Sequence, residues 1–381
     1  MKLGLGLYRS LLTPDNFAFA KQAGVTHLIV HLVDYFKGAT PNLTSGPATL
    51  GWGVTQNQDR PWTYEELVAI KREIEGAGLT WEAIENFDPS HWHDILLDGP
   101  KKVQQMENLK RTIQAIGRAG IPIMGYNFSI AGVWGWTKGP YGRGGAKALV
   151  YDESKIDKNT PLPNGMLWNM VYDPDAPPGT VAPISSAEIW QRLEWFLQQI
   201  LPVAEESGVR LALHPDDPPT DALRGGARLV NAPGKYQRML DLVPSPSSAL
   251  EYCLGSLQEM AEGDVYEATE HYGRLGKIAY VHFRNVRGKV PHYQEVFVDE
   301  GDLDMIRVLS ILRDVHFDGV IIPDHTPEMT CGAPWHAGMA FAMGYLRAAM
   351  QLAAAETAAA QAGSNQQHQP QQPAAAARGP T

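Results

Sequence analysis

The sequence predicts an α/β protein with a (β/α)8 TIM-barrel fold, long βα loops and a disordered carboxyl-terminal tail. Short apolar runs alternate with longer stretches of helical spacing, eight of each, and glycines separate most helices from the next strand. Eight strands that are each followed by a helix form a barrel of this kind. The alternative is an open doubly wound sheet, but no GxGxxG motif follows the first strand.

The predicted catalytic domain spans residues 1–353. Its predicted strands are Leu3–Tyr8, His27–Leu32, Leu79–Glu85, Pro122–Phe128, Val209–His214, Ser248–Cys253, Ile278–Asn285 and Gly319–His325. Its predicted helices are Pro14–Ala23, Tyr64–Ala77, Lys101–Ala119, Ser186–Ser207, Lys235–Leu242, Val265–Leu275, Leu303–Val315 and Gly338–Ala353. Residues 354–381 are rich in Ala, Gln and Pro and bury too little apolar surface to offset their conformational entropy, so we expect a disordered tail there.

The composition excludes several classes of protein. With 32 Lys and Arg against 42 Asp and Glu, the formal net charge is −10, and no basic run indicates a nucleic-acid or anionic-membrane surface. No segment approaches the roughly 20 apolar residues of a membrane span. Two cysteines exclude a disulfide framework and suit a reducing cytoplasm. We expect a cytoplasmic protein with a small-molecule partner, and a homo-oligomer (dimer or tetramer).

Three long segments follow predicted strands and therefore project from the carboxyl-terminal face of the barrel. They are Val33–Thr63, Ser129–Ile184 and Pro215–Asn231. Loops of this length often cover a site. The segment 129–184 carries Trp136 and Lys138 among many glycines, which favours a lid over a polar, anionic ligand. The alternative is a surface insertion that only enlarges the barrel.

Four consecutive predicted strands end in residues that commonly bind metals. His214, Cys253, His282 and Asp324 stand at the carboxyl ends of strands five to eight, where barrel enzymes carry their active sites. Each residue alone is often structural, but two imidazoles, a thiolate and a carboxylate on adjacent strands form a coherent ligand set. The set leaves Mn²⁺, Fe²⁺, Co²⁺ and Zn²⁺ open, whereas the thiolate disfavours Mg²⁺ and Ca²⁺.

Residues near the predicted ligands are candidates for catalysis and substrate binding. His325 is the first choice for proton transfer because imidazole titrates near neutral pH; the alternative is a partner that orients a metal ligand. Arg284 is suited to bind a carboxylate through two parallel hydrogen bonds. Other candidates for substrate binding are Asp216, Asn285, Glu295 and Asp302. The alternative is that these side chains cap turns or are exposed to solvent without a function.

Several motifs contain these residues. They are Tyr126–Phe128 with Trp136 downstream, Trp168–Met170, His214–Pro219, Cys253-x-Gly255, Val281–Val286, Glu295–Met305 and Asp324–His325. In these motifs the chain resembles the metal-dependent (β/α)8 mannonate dehydratases, which convert D-mannonate to 2-keto-3-deoxy-D-gluconate. The resemblance implies Mn²⁺ or Fe²⁺ on the four ligands, His325 in catalysis, and Asn127 and Trp136 at the substrate.

Three positions depart from the family pattern. Val30–Asp34 stands where the family has a His-His-Ile-Pro stretch, and Trp136–Lys138 stands where it has Trp-Arg-Thr. After the Asp-His motif the family has a glycine and, somewhat later, a tyrosine. This chain has Thr326 at the position of the glycine and no tyrosine before Tyr345. The metal centre therefore matches better than the substrate pocket, and a related aldonate is an alternative substrate. A metal-dependent sugar isomerase or epimerase of the xylose-isomerase-like class and a carbohydrate-binding protein without chemistry are further alternatives.

The expected reaction removes a proton from C2 of an aldonate and the hydroxyl from C3. The proton is hard to remove because the negative charge left on C2 adds to that of the neighbouring carboxylate. A bound dication lowers the free energy of this doubly charged intermediate. Arg284 is expected to hold the carboxylate, and Lys138 or an aromatic residue of the loop to close over the polyol. His325 either removes the C2 proton or protonates the leaving hydroxyl.

Overall fold

Eight parallel strands close into a barrel in this computed structural model, which describes residues 1–33, 35, 53–55 and 60–367. Side chains are described as far as residue 356. Most of the predicted loop 33–63 and residues 368–381 of the predicted tail lie outside the described residues.

Strands and helices alternate along the chain as the hydrophobic pattern predicts. The strands are β1 (Lys2–Tyr8), β2 (His27–His31), β3 (Gly53–Val54), β4 (Thr80–Glu85), β5 (Ile123–Tyr126), β6 (Trp136–Gly139), β7 (Ala148–Asp152), β8 (Met166–Leu167), β9 (Met170–Val171), β10 (Arg210–Leu213), β11 (Ala222–Leu223), β12 (Gly226–Ala227), β13 (Ser248–Cys253), β14 (Ile278–His282), β15 (Asn285–Lys289), β16 (His292–Val296) and β17 (Val320–Ile322). The α-helices are α1 (Pro14–Gln22), α2 (Tyr64–Gly76), α3 (Pro89–Leu97), α4 (Lys102–Arg118), α5 (Ser186–Ser207), α6 (Gly234–Leu242), α7 (Leu254–Glu259), α8 (Val265–Arg274), α9 (Met305–Asp314) and α10 (Pro334–Gln367).

The barrel closes because its first and last strands pair. Around the barrel the order is β1-β17-β14-β13-β10-β5-β4-β2, so β1 pairs in parallel with both β17 and β2. In this register Gly4 lies against Val320 and Ile322, whose side chains a Cβ atom would overlap. The closed parallel sheet and its helices confirm the predicted (β/α)8 TIM-barrel fold.

The helices cover the barrel with apolar faces, and α5 illustrates how. The helix begins at reciprocal capping-box hydrogen bonds of Ser185. Its Phe196 is fully buried, and the centroid of its ring lies 5.7 Å from that of Trp92 and 5.5 Å from those of Tyr126 and Phe128. Aromatic contacts of this kind join α5 both to α3 and to the end of β5.

The long segments after β5 and β14 build a second sheet beyond the carboxyl ends of the barrel strands. Its order is β15-β16-β7-β6, and all its neighbouring strands are antiparallel. The predicted lid 129–184 therefore contains strands that pair with the segment following His282. Its role as a lid stays a prediction.

The last helix extends past the predicted domain boundary. The sequence predicted a disordered tail from residue 354, whereas α10 continues to Gln367. Alanine has the highest helix propensity, and the stretch after Leu352 is rich in alanine, which favours continuation of the helix. Within the part of the chain that the structure describes, no helix combines the length and hydrophobicity needed to cross a membrane.

Replacing Phe196 with alanine tests the packing of α5. We expect Phe196→Ala to lower the free energy of unfolding by about 3–5 kcal/mol, because it leaves a cavity between α5 and the barrel. Urea denaturation followed by far-UV circular dichroism measures the change. The control is Val103→Ala at a side chain that is 62% exposed, for which we expect a change within about 0.5 kcal/mol. Equal effects of the two substitutions would contradict the packing described.

Candidate metal centre and active site

A pocket lies at the carboxyl ends of the barrel strands. Polar and aromatic side chains from the strand ends and from the long loops line it. This is the end of a (β/α)8 barrel at which active sites are found. Among the lining residues are His31, Glu85, Asn127, Trp136, Asp216, Arg284 and His325.

The four predicted metal ligands lie together beside this pocket, and His214, His282 and Asp324 are among the residues that line it. His214 follows β10, and Cys253 and His282 are the last residues of β13 and β14, so adjacent strands bring them together. One ligand atom from each of these three residues lies within 4.8 Å of the other two. Asp324 follows β17, and its Oδ2 lies 3.4 Å from Nδ1 of His282. Two imidazoles, a thiol and a carboxylate thus share one rim.

The chemistry of these donor atoms fits a divalent transition metal. His282 is 1% exposed, and among the described residues neither of its ring nitrogens has a hydrogen-bond partner. Burial raises the pKa of the Cys253 thiol, but Arg284 and the two histidines lower it well below its usual value, which favours the thiolate. Burial also opposes protonation of His214, yet its hydrogen bond to Cys253 raises its pKa to about 9. A bound cation would replace that proton beside the thiolate.

The backbone after β17 explains how two consecutive residues both reach the pocket. Asp324 has a φ of 61°, in the left-handed region, which costs a residue other than glycine about 1–2 kcal/mol. Asp324 and His325 both line the pocket, and Asp324 Oδ2 lies 3.4 Å from Nε2 of His325. Backbone strain of this kind is concentrated at functional sites.

A buried carboxylate holds His325. Nδ1 of His325 forms a short hydrogen bond with Oε1 of Glu295 on β16. Oε2 of Glu295 accepts a hydrogen bond from the backbone N–H of Leu149 at 3.3 Å. Burial opposes the imidazolium, but Asp324 and Glu295 together raise the pKa of His325. Glu295, predicted to bind substrate, thus contacts His325 and is not among the residues that line the pocket.

The Arg284 guanidinium forms ion pairs with carboxylates of the protein itself. Its Nη2 pairs with Asp217, its Nη1 donates to Oε1 of Glu259 at 2.7 Å, and its Nε lies 3.4 Å from Oδ2 of Asp324. Arg284 is only 4% exposed. The sequence predicted that Arg284 binds the substrate carboxylate, but the structure directs its charge to acidic side chains of the chain, because α7 brings Glu259 beside it. A role at the substrate stays a prediction.

Two of the predicted substrate-binding residues that line the pocket, Asn127 and Trp136, form hydrogen bonds beside it. Asn127 donates a hydrogen bond from Nδ2 to Oδ1 of Asn86 at 2.8 Å. Trp136 donates from Nε1 to the hydroxyl of Tyr293 at 2.8 Å, and Tyr293 donates in turn to Oδ1 of Asp217 at 2.8 Å. These hydrogen bonds connect the segment 129–184 to the group around Arg284.

The remaining predicted substrate-binding residues contact other parts of the protein. Asp216 lines the pocket but pairs with the buried Arg228 at 3.1 Å. The Asn285 amide bonds to backbone groups of the loop before α9, and Asp302 accepts from the backbone N–H of residue 288. Lys138 pairs with a glutamate that follows β17. Asn285, Asp302 and Lys138 are not among the residues that line the pocket.

Sequence reasoning missed two carboxylates beneath the ligands. An Oε atom of Glu85 lies 3.4 Å from Nε2 of His282, and one of Glu251 lies 3.5 Å from it; these three residues form a second candidate cation group. Burial and the charge of Glu85 raise the pKa of Glu251 well above its usual value. At Glu85, His31 and His282 outweigh burial and lower the pKa to about 2. Glu251 precedes Cys253 by two residues on β13, a spacing that places both side chains on one face.

The chain matches known proteins over most of its length. The model of the D-mannonate dehydratase (UxuA) family matches residues 47–364. Mannonate dehydratase 2 of Halalkalibacterium halodurans is 34% identical over 277 residues, which cover 69% of this chain and 79% of that protein. The mannonate dehydratase of Thermotoga maritima is 30% identical over 285 residues, which cover 69% of this chain and 78% of that protein.

Solved structures share the architecture. The crystal structure of mannonate dehydratase from Streptococcus suis serotype 2 superposes with a TM-score of 0.73 at 26% identity and covers 94% of this chain and 95% of that one. An L-ribulose 3-epimerase, with a TM-score of 0.54 at 14% identity over 97% of this chain and 99% of that one, shares the fold alone. The match to the family model and the identity to its curated members show that the chain belongs to the D-mannonate dehydratase family.

Proposed function

We propose that this chain is a hydro-lyase that dehydrates D-mannonate to 2-keto-3-deoxy-D-gluconate, with Mn²⁺ or Fe²⁺ bound by His214, Cys253, His282 and Asp324. The observation that carries the proposal is the convergence of these four groups at one rim of the barrel, in a chain of the D-mannonate dehydratase family. Their nitrogen, sulfur and oxygen donors suit a divalent first-row metal.

The charges around the pocket support this assignment. Arg228 and Arg284 both line the pocket, but each is already paired with a buried carboxylate. A divalent ion held by His214, Cys253, His282 and Asp324 would supply positive charge to stabilise the negative charge that develops beside the substrate carboxylate. Arg284 acts through Asp324, whose carboxylate it helps to hold toward His282.

His325 is proposed to transfer a proton. Its side chain is 34% exposed and lines the pocket, with Nδ1 bonded to Glu295 and Nε2 3.4 Å from Oδ2 of Asp324. Trp136 borders the same space, with its ring centroid 5.8 Å from that of His325. We propose that Trp136 and the segment 129–184 exclude water from the reacting atoms.

The cellular setting belongs to the same proposal. Cys253 and Cys331 are both free thiols, which suits a reducing cytoplasm. We propose a cytoplasmic homo-oligomer, dimer or tetramer, that acts in hexuronate catabolism.

The first test is turnover of D-mannonate. We expect the Mn²⁺-loaded protein to form a 2-keto-3-deoxy acid, detected by the periodate–thiobarbiturate colour, and a panel of other aldonates and uronates identifies the preferred substrate. An isomeric sugar formed without any keto acid would instead favour the isomerase or epimerase alternative. Absence of turnover on the whole panel would contradict an enzymatic function.

The second test separates proton transfer from metal binding. We expect His325→Asn to lower kcat by about 100-fold or more, the range of general acid–base catalysis, with full metal content by mass spectrometry. The control is His336→Asn, because His336 bonds to Asn16 on α1 at 2.9 Å and does not line the pocket. An unchanged kcat in the His325 variant would refute the assigned role.

The third test addresses the thiolate. We expect Cys253→Ser to weaken Mn²⁺ affinity by at least about 10-fold, since even changes to the partners of ligands weaken binding by 10- to 100-fold. Equilibrium dialysis against Mn²⁺ measures the affinity. The matched control is Cys331→Ser, at the exposed free thiol. Parental affinity in the Cys253 variant would exclude the sulfur from the ligand set.

A further inference from the structure

The far end of the pocket lies across the barrel from His325. His325 follows β17, and in the closed barrel β17 stands opposite β5, the strand that Asn127 follows. Asn127 and Asn86, which follows the neighbouring strand β4, both line the pocket. A chain molecule that lies across the pocket with its reacting carbons at the candidate metal centre therefore extends its other end toward these two amides.

A second cavity adjoins the pocket at this end. The two cavities share four lining residues, which are Asn86, Asn127, Ser129 and Trp168. Among the described residues, the others that line the second cavity are all apolar: Phe87, Pro89, Trp92, Leu96 and Leu167. The second cavity therefore suits an apolar group, whereas the pocket itself suits a polar chain.

Trp168 stands at the boundary of the two cavities on an unusual turn. Trp168 and Asn169 connect β8 to β9, two antiparallel strands in which Leu167 lies opposite Met170. The φ angles of Trp168 and Asn169 are 48° and 62°. Positive φ at both central residues is characteristic of a type I′ hairpin turn, which favours Asn, Asp and Gly. A bulky residue rarely adopts this backbone conformation, and such outliers are concentrated at functional sites.

Neighbouring loops hold the Trp168 backbone and indole in place. The backbone N–H of Trp168 donates to the carbonyl of Ile130 at 2.9 Å. The indole packs beside Gly132, where a Cβ atom would lie 3.2 Å from its Cγ. Its ring centroid lies 5.0 Å from that of Tyr35, whose hydroxyl accepts a hydrogen bond from Nδ2 of Asn86 at 2.8 Å. The indole, the phenol and the amide therefore form one connected surface at the boundary.

We propose that Trp168 closes the far end of the substrate pocket and thereby limits the length of the sugar acid that the protein accepts. The inference rests on the proposed function and extends it by naming the residue that selects chain length. Among the described residues the Asn127 side chain bonds only to Asn86, so its second N–H and its carbonyl oxygen are available to a hydroxyl group of the substrate. An aromatic wall with a few polar groups is typical of a ligand site.

The side chain at position 168 determines whether the second cavity is part of the substrate pocket. With the indole in place, a chain longer than D-mannonate meets the ring at its far end. Without the indole, an added apolar group enters the second cavity beside Phe87, Trp92 and Leu96. One methylene group in an apolar pocket changes kcat/KM by about 10- to 200-fold, so the effect is large enough to measure.

Two substrates of different length test the proposal. We measure kcat/KM for D-mannonate and for 6-O-methyl-D-mannonate, whose extra methyl group lies at the far end of the chain. The Mn²⁺-loaded wild-type protein is compared with Trp168→Asn, because asparagine tolerates the positive φ of this turn. We expect the wild type to prefer D-mannonate by about 10-fold or more, and Trp168→Asn to raise the relative kcat/KM of the methyl ether by at least about 10-fold. General loss of structure would lower both values and leave their ratio unchanged.

A matched control comes from a tryptophan outside both cavities. Trp195 on α5 is partly buried, lies under the Lys102 ammonium and lines neither cavity, so Trp195→Asn is expected to keep the wild-type ratio. Trp168→Phe keeps a smaller ring on the same turn, and we expect its ratio to fall between those of wild type and Trp168→Asn. A wild-type ratio in both Trp168 variants, or an equal rise in Trp195→Asn, would overturn the proposal.

Binding of the two compounds separates this inference from the proposed function. Isothermal titration calorimetry with the Mn²⁺-loaded proteins gives the Kd of each compound independently of turnover. If the wild type binds D-mannonate but releases no keto acid, dehydration is wrong, and a changed or unchanged ratio of the two Kd values in Trp168→Asn still supports or overturns the role of Trp168. A wild-type protein that neither binds nor converts either compound would overturn both proposals.

Discussion

The candidate site depends on the placement of the His282 imidazole. The ring is buried at the end of β14, with Asp324 3.4 Å from Nδ1 on one edge, and with Glu85 and Glu251 3.4 and 3.5 Å from Nε2 on the other. Carboxylates at both edges of a desolvated imidazole restrict its rotation and determine which nitrogen faces the other ligands. Without those carboxylates, the closed barrel would still bring the strand ends together but would not orient the ring.

Paired charges make this arrangement possible inside a barrel. Buried carboxylates are expensive unless they have partners. Arg284 spans Asp217, Glu259 and Asp324, while Arg228 pairs with Asp216. Both arginines thus help to maintain the acidic wall of the pocket that they line. A cation bound by the four predicted ligands would add positive charge at the side of the pocket where those ligands meet.

The sequence predicted the fold and the rim at which four ligand types meet, because short apolar runs, helical spacing and strand-end positions are local signals. It did not predict which polar groups contact one another. Glu295 reaches His325 because β16 pairs with β7, a pairing between segments far apart in the chain. Arg284 meets Glu259 because α7 follows directly after Cys253. Such contacts depend on how distant loops pack against each other, and the pattern of residues in a single sequence does not predict that packing.

The electronic state of Cys253 has a consequence for the durability of the protein. A sulfur held as thiolate by neighbouring cations is the form that peroxides convert to sulfenic acid. The residue is fully buried, and its neighbours His214 and His282 line the pocket, so an oxidant that enters the pocket approaches the sulfur from that side. Ligands that fill the pocket therefore restrict this approach, which links the oxidative lifetime of the protein to the occupancy of its pocket.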